Sequence, residues 1–206
     1  MNRRWWAAGS AVAAFVFAGL LVACSSSPQP TAHPQVPTFS TRQTTSAAPV
    51  APPKSCAAVA QAADVDQIVG HQLVGSANQV VGIPQANISR TGRLDCYYGI
   101  PAGQPVTAAV LSIGIASYTD APTAQHRVTL TVNSARNSGT TTSDLKVGTE
   151  HAVLLAGAQA QELVLSHGNL TVLVRANNGV LTHATIGPQL VALAQRALAA
   201  PPGKGG

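Results

Sequence analysis

Charged side chains are scarce in this sequence. Asp, Glu, Lys and Arg make up 9% of its 206 residues, against about 25% in an average soluble domain. The formal charge of +5 still raises the question of an acidic partner. Five of the basic residues lie outside residues 56–200, namely Arg3, Arg4, Arg42, Lys54 and Lys204. The other basic residues equal the acidic ones in number, so residues 56–200 are formally neutral, which argues against nucleic-acid binding.

Aromatic residues are also few, at 4% of the chain. Both tryptophans, Trp5 and Trp6, lie close to the N-terminus, and the aromatic residues of segment 56–200 are Tyr97, Tyr98 and Tyr118. The predicted core is therefore built mainly from Ala, Val, Leu and Ile. Nothing in the pattern suggests an aromatic platform on which nucleic-acid bases would stack.

Recognisable catalytic motifs are missing. The sequence contains no Gly-x-Ser-x-Gly elbow, no His-Glu-x-x-His, no phosphate-binding loop and no dinucleotide-binding fingerprint. Asp64 and Asp66 are the closest carboxylates, but residues i and i+2 of a helix point in different directions. The sequence thus predicts a protein that is not an enzyme and carries no cofactor.

Histidines are the remaining candidates for chemistry. His151, His167 and His183 fall on or beside the late predicted strands, where they would come near Glu150 or Glu162. A metal or acid–base site there is one interpretation. The other is a set of surface histidines at strand ends and turns, which the position of His167 in a hairpin turn favours. No metal ligand is therefore assigned.

The N-terminus has the pattern of an export signal. Two arginines precede an apolar run over residues 7–20, which is too short to span a bilayer comfortably. The run ends in Leu21-Val22-Ala23-Cys24, and Leu-x-small-Cys resembles the bacterial lipobox. We therefore expect cleavage before Cys24 and lipidation of its thiol, which would hold the protein on the extracytoplasmic face of the cell membrane. An ordinary signal peptide with a coincidental cysteine is the alternative.

Four segments follow from composition. Residues 1–23 are predicted as the lipoprotein signal peptide, and residues 24–55, rich in Pro, Ser and Thr, as a disordered linker. Residues 56–200 have the length of a single domain with one core. Residues 201–206 are predicted as a disordered tail.

Apolar spacing and capping residues predict an α+β domain. A capping box at Asp64 opens a short helix that ends at Gly70, with residues 57–63 left open as its upstream extension. Asp120 and Pro122 open a second helix to about Ala135, although the β-branched run 128–132 favours a strand. Pro188 opens the closing helix. Strands are predicted at 72–81, 95–100, 108–117, 150–155, 160–166 and 170–175, with a polar loop at 137–143. We expect a mainly antiparallel sheet with helices packed on one face.

Two cysteines remain after Cys24. In an oxidising extracytoplasmic compartment, Cys56 and Cys96 are expected to form a disulfide, and with two candidates the pairing is unambiguous. A metal site is the rival interpretation, but it normally needs more ligands at closer spacing.

The chain resembles the small cell-envelope lipoproteins of actinobacteria, mycobacteria especially. The resemblance covers most of residues 56–200 and rests on a lipobox, a Pro/Thr linker, Cys56-Ala57-Ala58-Val59, Ile68-Val69-Gly70, Asp95-Cys96-Tyr97-Tyr98, the segment 147–152 and the closing helix 189–200. It implies an envelope protein without assigned catalytic residues. The closing helix is also similar to that of the extracellular sensor domains of mycobacterial receptor kinases, which usually carry more cysteines.

Three functions are compatible with these features. The leading hypothesis is a non-enzymatic binding module that is anchored to the membrane by lipid and holds an apolar small molecule between helices and sheet, or an envelope protein partner. The second is an envelope hydrolase or metal-dependent enzyme with a site near the late strands. The third is a structural, surface or sensor-like protein without a small-molecule site.

Overall fold

The computed structural model describes residues 49–182 and 185–203. The predicted signal peptide, Cys24, most of the linker, His183 and Lys204 lie outside these residues. Within them, every helix is too short or too polar to cross a bilayer.

One seven-stranded antiparallel sheet organises the domain. The strands are β1 (Ser76–Gly82), β2 (Arg90–Ile100), β3 (Leu111–Tyr118), β4 (Thr141–Val147), β5 (Glu150–Ala156), β6 (Ala160–His167) and β7 (Leu170–Asn177), in the spatial order β1-β2-β3-β7-β6-β5-β4. The helices are α1 (Cys56–Val59), α2 (Ala62–Val69), α3 (Ala121–Asn137) and α4 (Ile186–Leu198). The predicted α+β class with an antiparallel sheet is confirmed.

Alternation along each strand separates two faces of the sheet. On β3, Leu111 and Ile113 are buried on one side, whereas Ser112 and Gly114 lie on the other. The first side, which we call the core face, carries the main hydrophobic core together with α1, α2 and α4. Its apolar residues from β2, β3, β6 and β7 pack against Leu190 and Leu193 of α4.

Helices lie on both faces of the sheet, and not on one face as the sequence predicted. The exception is α3, whose Val132 packs against Val153, Leu155 and Val164 on the opposite side, which we call the α3 face. α3 therefore packs on a second, smaller apolar cluster of the late strands, and not on the face that carries the other helices. Sequence periodicity reports that a helix has an apolar stripe, but not which face of a sheet receives it.

The helix predicted after Asp120 is confirmed. The Asp120 carboxylate accepts a hydrogen bond of 2.7 Å from the Thr123 backbone N–H and so caps α3. Thr129 and Thr131 donate their hydroxyl protons to backbone carbonyls four residues earlier, at 3.1 and 3.0 Å. With these bonds, the β-branched residues of segment 128–132 lie within the helix and do not form a strand.

The predicted disulfide is present. Cys56 and Cys96 are bonded, with their Cα atoms 5.5 Å apart. The bond joins α1 to β2. Close by, the buried Tyr98 hydroxyl donates to the Ala60 carbonyl oxygen at 2.8 Å, and burial raises the pKa of Tyr98 to about 12. The first helical segment is thus held to the core face by a covalent bond and a buried hydrogen bond.

The domain begins before residue 56. Residues 49–55 were predicted as the end of a disordered linker, but the Asn169 side chain bonds both backbone groups of Val50, at 2.9 Å each. Ala51 also pairs with Gly203, within the predicted tail. Backbone pairing of this kind involves no apolar pattern, so composition alone does not reveal these contacts.

Candidate functional site

A groove lies on the α3 face, where α3 leaves part of the sheet uncovered. Because α3 packs mainly on β6 and β7, the surfaces of β2 and β3 beside it remain open. The resulting cavity has a volume of about 700 Å³. That volume falls in the range of about 300–1,000 Å³ that is usual for small-molecule sites.

The floor of the groove consists of residues that the strand register places in rows. One row runs across the four central strands as Asp95, Gly114, Leu173 and Val164. The adjacent row consists of Tyr97, Ser112, Arg175 and Glu162. Apart from the Asp95 carboxylate, the first row therefore consists of glycine and apolar residues. The second row is polar throughout.

Gly114 makes room for the Asp95 carboxylate in the floor. A Cβ atom at position 114 would lie 2.8 Å from Asp95 Oδ1, closer than side-chain atoms normally approach. Asp95 is only 8% exposed, and its Oδ2 accepts a hydrogen bond of 2.6 Å from Arg93 Nε. This bond raises the pKa of the Arg93 guanidinium. The Arg93 guanidinium therefore remains charged at neutral pH.

A second ion pair and a tyrosine complete the polar row. Arg175 Nε lies 3.6 Å from Glu162 Oε1 on the neighbouring strand. Burial, followed by the negative charge of Asp95, raises the pKa of the Tyr97 phenol. Tyr97 is consequently protonated at neutral pH and presents a hydrogen-bond donor to the groove.

Two further arginines line the groove without a carboxylate partner. Among the described residues, no carboxylate lies within 4.0 Å of Arg90 or Arg127. Arg90 donates from Nη2 to the Ile83 carbonyl oxygen at a long 3.4 Å. Its Nε is buried and has no hydrogen-bond partner in the described part of the chain. With Arg93 and Arg175 neutralised by their partners, the lining carries an excess positive charge.

The late-strand histidines form two separate pairs with carboxylates. His167 Nδ1 lies 2.9 Å from Glu150 Oε1, and His151 Nε2 lies 3.1 Å from Asp144 Oδ1. Glu150 and His151 are consecutive in β5, so the two pairs point to opposite faces of the sheet. In the described ranges, no three His, Cys, Asp or Glu side chains are close enough together to hold a metal ion. The candidate His183 lies outside these ranges.

Sequence reasoning missed the groove residues. The signal was the pattern Arg93-x-Asp95-x-Tyr97, which places three polar side chains on one side of a strand. Small residues alternate in the same way in β3, as Ser112 and Gly114. Two such strands side by side indicate a polar, uncrowded surface, but their pairing is not evident from the sequence.

Comparisons with known proteins find similarity among solved structures and none elsewhere. No protein-family model matches the chain, and no curated protein matches it. Among solved structures, it is similar to the extracellular domain of PknH from Mycobacterium tuberculosis, with a TM-score of 0.40 and 14% identity. The match covers 68% of this chain and 91% of that one.

Proposed function

We propose that this protein is a membrane-anchored envelope lipoprotein whose domain binds a small ligand in the groove beside α3 and does not catalyse a reaction. The observation that carries the proposal is the groove itself: a cavity of about 700 Å³ with convergent polar groups in its floor. Cavities of this size with a few oriented polar side chains are the usual form of a small-molecule site.

The state of the groove carboxylates supports binding over catalysis. Asp95 and Glu162 are each occupied by an arginine, so neither is free to act as a general acid or base. The carboxylates instead orient Arg93 and Arg175. Such a lining is suited to recognition by fixed hydrogen bonds.

The location rests on the N-terminal sequence. Leu21-Val22-Ala23-Cys24 supports lipidation, and a Pro/Ser/Thr-rich segment separates Cys24 from the first described residues. A domain tethered in this way would meet ligands at the outer surface of the cytoplasmic membrane.

Retention of a native ligand tests this function. The full chain, extracted from its native envelope in a neutral detergent, should carry a small molecule that native mass spectrometry detects. Ser112→Phe places a large side chain between Tyr97 and Arg175 in the floor and should prevent retention. Lys146→Phe introduces the same side chain on the exposed edge strand β4, outside the groove lining, and should leave retention unchanged.

Two results would contradict the binding function. Equal retention in Ser112→Phe and wild type would place the ligand elsewhere. A wild-type protein that carries no ligand, and whose groove residues show no change in hydrogen exchange when an envelope extract is added, would favour the structural alternative.

A further inference from the structure

We propose that the groove takes a ligand with an anionic head group, a carboxylate or a phosphate, attached to a short apolar portion. This inference rests on the proposed binding function and specifies the chemistry of the ligand. Its basis is the juxtaposition of arginines without carboxylate partners and apolar side chains in one cavity.

The first argument is charge. The lining contains Arg90, Arg93, Arg127 and Arg175, but its carboxylates are Asp95 and Glu162. Arg93 and Arg175 are each within ion-pair distance of one of these carboxylates. The guanidinium groups of Arg90 and Arg127 are therefore available to an anion. Guanidinium groups bind carboxylates and phosphates with paired, charge-assisted hydrogen bonds.

The second argument is an unmade hydrogen bond. Arg90 Nε is buried, and the described residues provide it with no acceptor. Buried donors are nearly always paired because an unpaired one loses its interaction with water and gains nothing in return. Nε has almost no exposed surface in this arrangement, so an anionic oxygen in the groove would supply the acceptor once the Arg90 guanidinium turns its Nε toward it.

The third argument concerns the rest of the ligand. Val106, Val110, Val128 and Leu173 also line the groove. Side chains of this type offer no hydrogen bond, and water in contact with them is displaced favourably by an apolar group. A free inorganic anion would leave these residues in contact with water, so the lining favours a head group that carries an apolar portion.

Chemical labelling of arginine tests the proposal on the full chain in nanodiscs of uncharged phosphatidylcholine. Phenylglyoxal modifies each arginine at a rate that peptide mass spectrometry follows residue by residue. The probes are hexyl phosphate, hexanoate, inorganic phosphate and the uncharged hexanol. Arg136 on α3 is the internal control, because it lies outside the groove lining and its Nε donates to Thr142.

Hexyl phosphate and hexanoate should protect Arg90 and Arg127 from labelling, whereas Arg136 is labelled at an unchanged rate and hexanol protects neither groove residue. Weaker protection by inorganic phosphate would show that the apolar portion contributes. Equal protection by inorganic phosphate would overturn the part of the proposal that assigns an apolar portion.

Variants locate the anion. Arg127→Gln or Arg90→Gln should weaken hexyl phosphate binding about tenfold, as expected when one charge-assisted hydrogen bond is removed. Protection of the remaining arginine gives the affinity. Arg127→Lys should retain more affinity than Arg127→Gln, and Arg136→Gln should behave as wild type.

The proposal is overturned if no anionic probe protects Arg90 or Arg127, or if hexanol protects them equally. It is also overturned if neither glutamine variant lowers the affinity. If these results occur while Ser112→Phe still blocks retention of a native ligand, only the anionic chemistry is wrong. If native retention also fails, the binding function itself is wrong.

Discussion

Asn169, a single buried side chain, holds the first described residues onto the domain. Its Nδ2 donates to the carbonyl oxygens of Val50 and Tyr118, at 2.9 and 3.0 Å, and its Oδ1 accepts from the Val50 backbone N–H at 2.9 Å. We predict that Asn169→Ala lowers the free energy of unfolding by about 1–3 kcal/mol, because backbone groups near it lose their partners. Urea denaturation measures this change.

The same substitution should release the N-terminal segment locally. Hydrogen exchange of residues 49–54 should become fast in Asn169→Ala, while exchange in β3 and β7 stays slow. Asn133→Ala, on the exposed side of α3, serves as the matched control and should change neither measurement. Unchanged exchange at residues 49–54 would mean that other contacts hold the segment.

At the level of elements, the disulfide attaches α1 to the central part of the sheet. It closes a loop with a sequence separation of 40 residues, which in the chain-entropy model stabilises the fold by about 4 kcal/mol. We expect the double variant Cys56→Ser/Cys96→Ser to have a free energy of unfolding lower by that amount, seen as a lower urea midpoint. Reductant should shift the wild-type midpoint toward the variant and leave the variant unaffected; a wild type insensitive to full reduction would contradict the prediction.

Helices α2 and α4 are joined at an exposed carboxylate, and this contact predicts a pH dependence. Asp64 accepts from the Gln61 backbone N–H at 3.1 Å and from Arg196 Nη2 at 3.0 Å. The bond from Gln61 first, and then Arg196, lowers the pKa of Asp64 below its usual 3.8. In α3, bonds from Thr123 likewise lower the pKa of Asp120. A carboxyl group with a lower pKa in the folded state stabilises the fold above pH 3.8, and this contribution disappears as pH falls through the folded pKa.

Asp64→Asn should therefore lower stability at pH 7 and make it less dependent on pH below 4. Arg196→Gln should show a smaller part of the same effect, because it leaves the larger cause in place. Thermal unfolding followed from pH 2 to pH 7 provides the measurement. An acid slope in Asp64→Asn as steep as in the wild type would contradict the assignment.

Elements with strong local signals were predictable from the sequence, and polar edge elements were not. Capping residues located α3, and an apolar stripe located α4. By contrast, β4 was partly predicted as a polar loop, because most of its side chains are exposed at the sheet edge. Strand β2 begins at Arg90 and not near Asp95, since its first residues alternate without large apolar side chains. Pairing with neighbouring strands, and not local composition, defines these boundaries.

For the whole molecule, the groove illustrates what one sequence does not reveal. Its lining comes from residues between 88 and 177, on β2, β3, β6, β7, α3 and the loops beside them. Each contributing strand was predicted at least in part, but the register that aligns Ser112 with Tyr97 and Arg175 is a long-range property. The sequence predicted an apolar site between the helices and the sheet. That prediction depended on all helices lying on the same face. Because α3 lies on the opposite face, the groove forms on that face, and arginines line it.

The chain enters the domain beside one end of this groove. Tyr118 lines the groove, and its carbonyl oxygen accepts from Asn169, which also binds Val50. The first described residues therefore lie beside this part of the groove lining. We predict that Cys24→Ala abolishes acylation and leaves unprocessed precursor, because the peptidase of the lipoprotein pathway acts after the cysteine is modified. Labelling with a radioactive fatty acid and partition into detergent measure this change, with Cys56→Ser as the matched cysteine control that retains the label. Equal label on Cys24→Ala and wild type would refute the lipobox assignment.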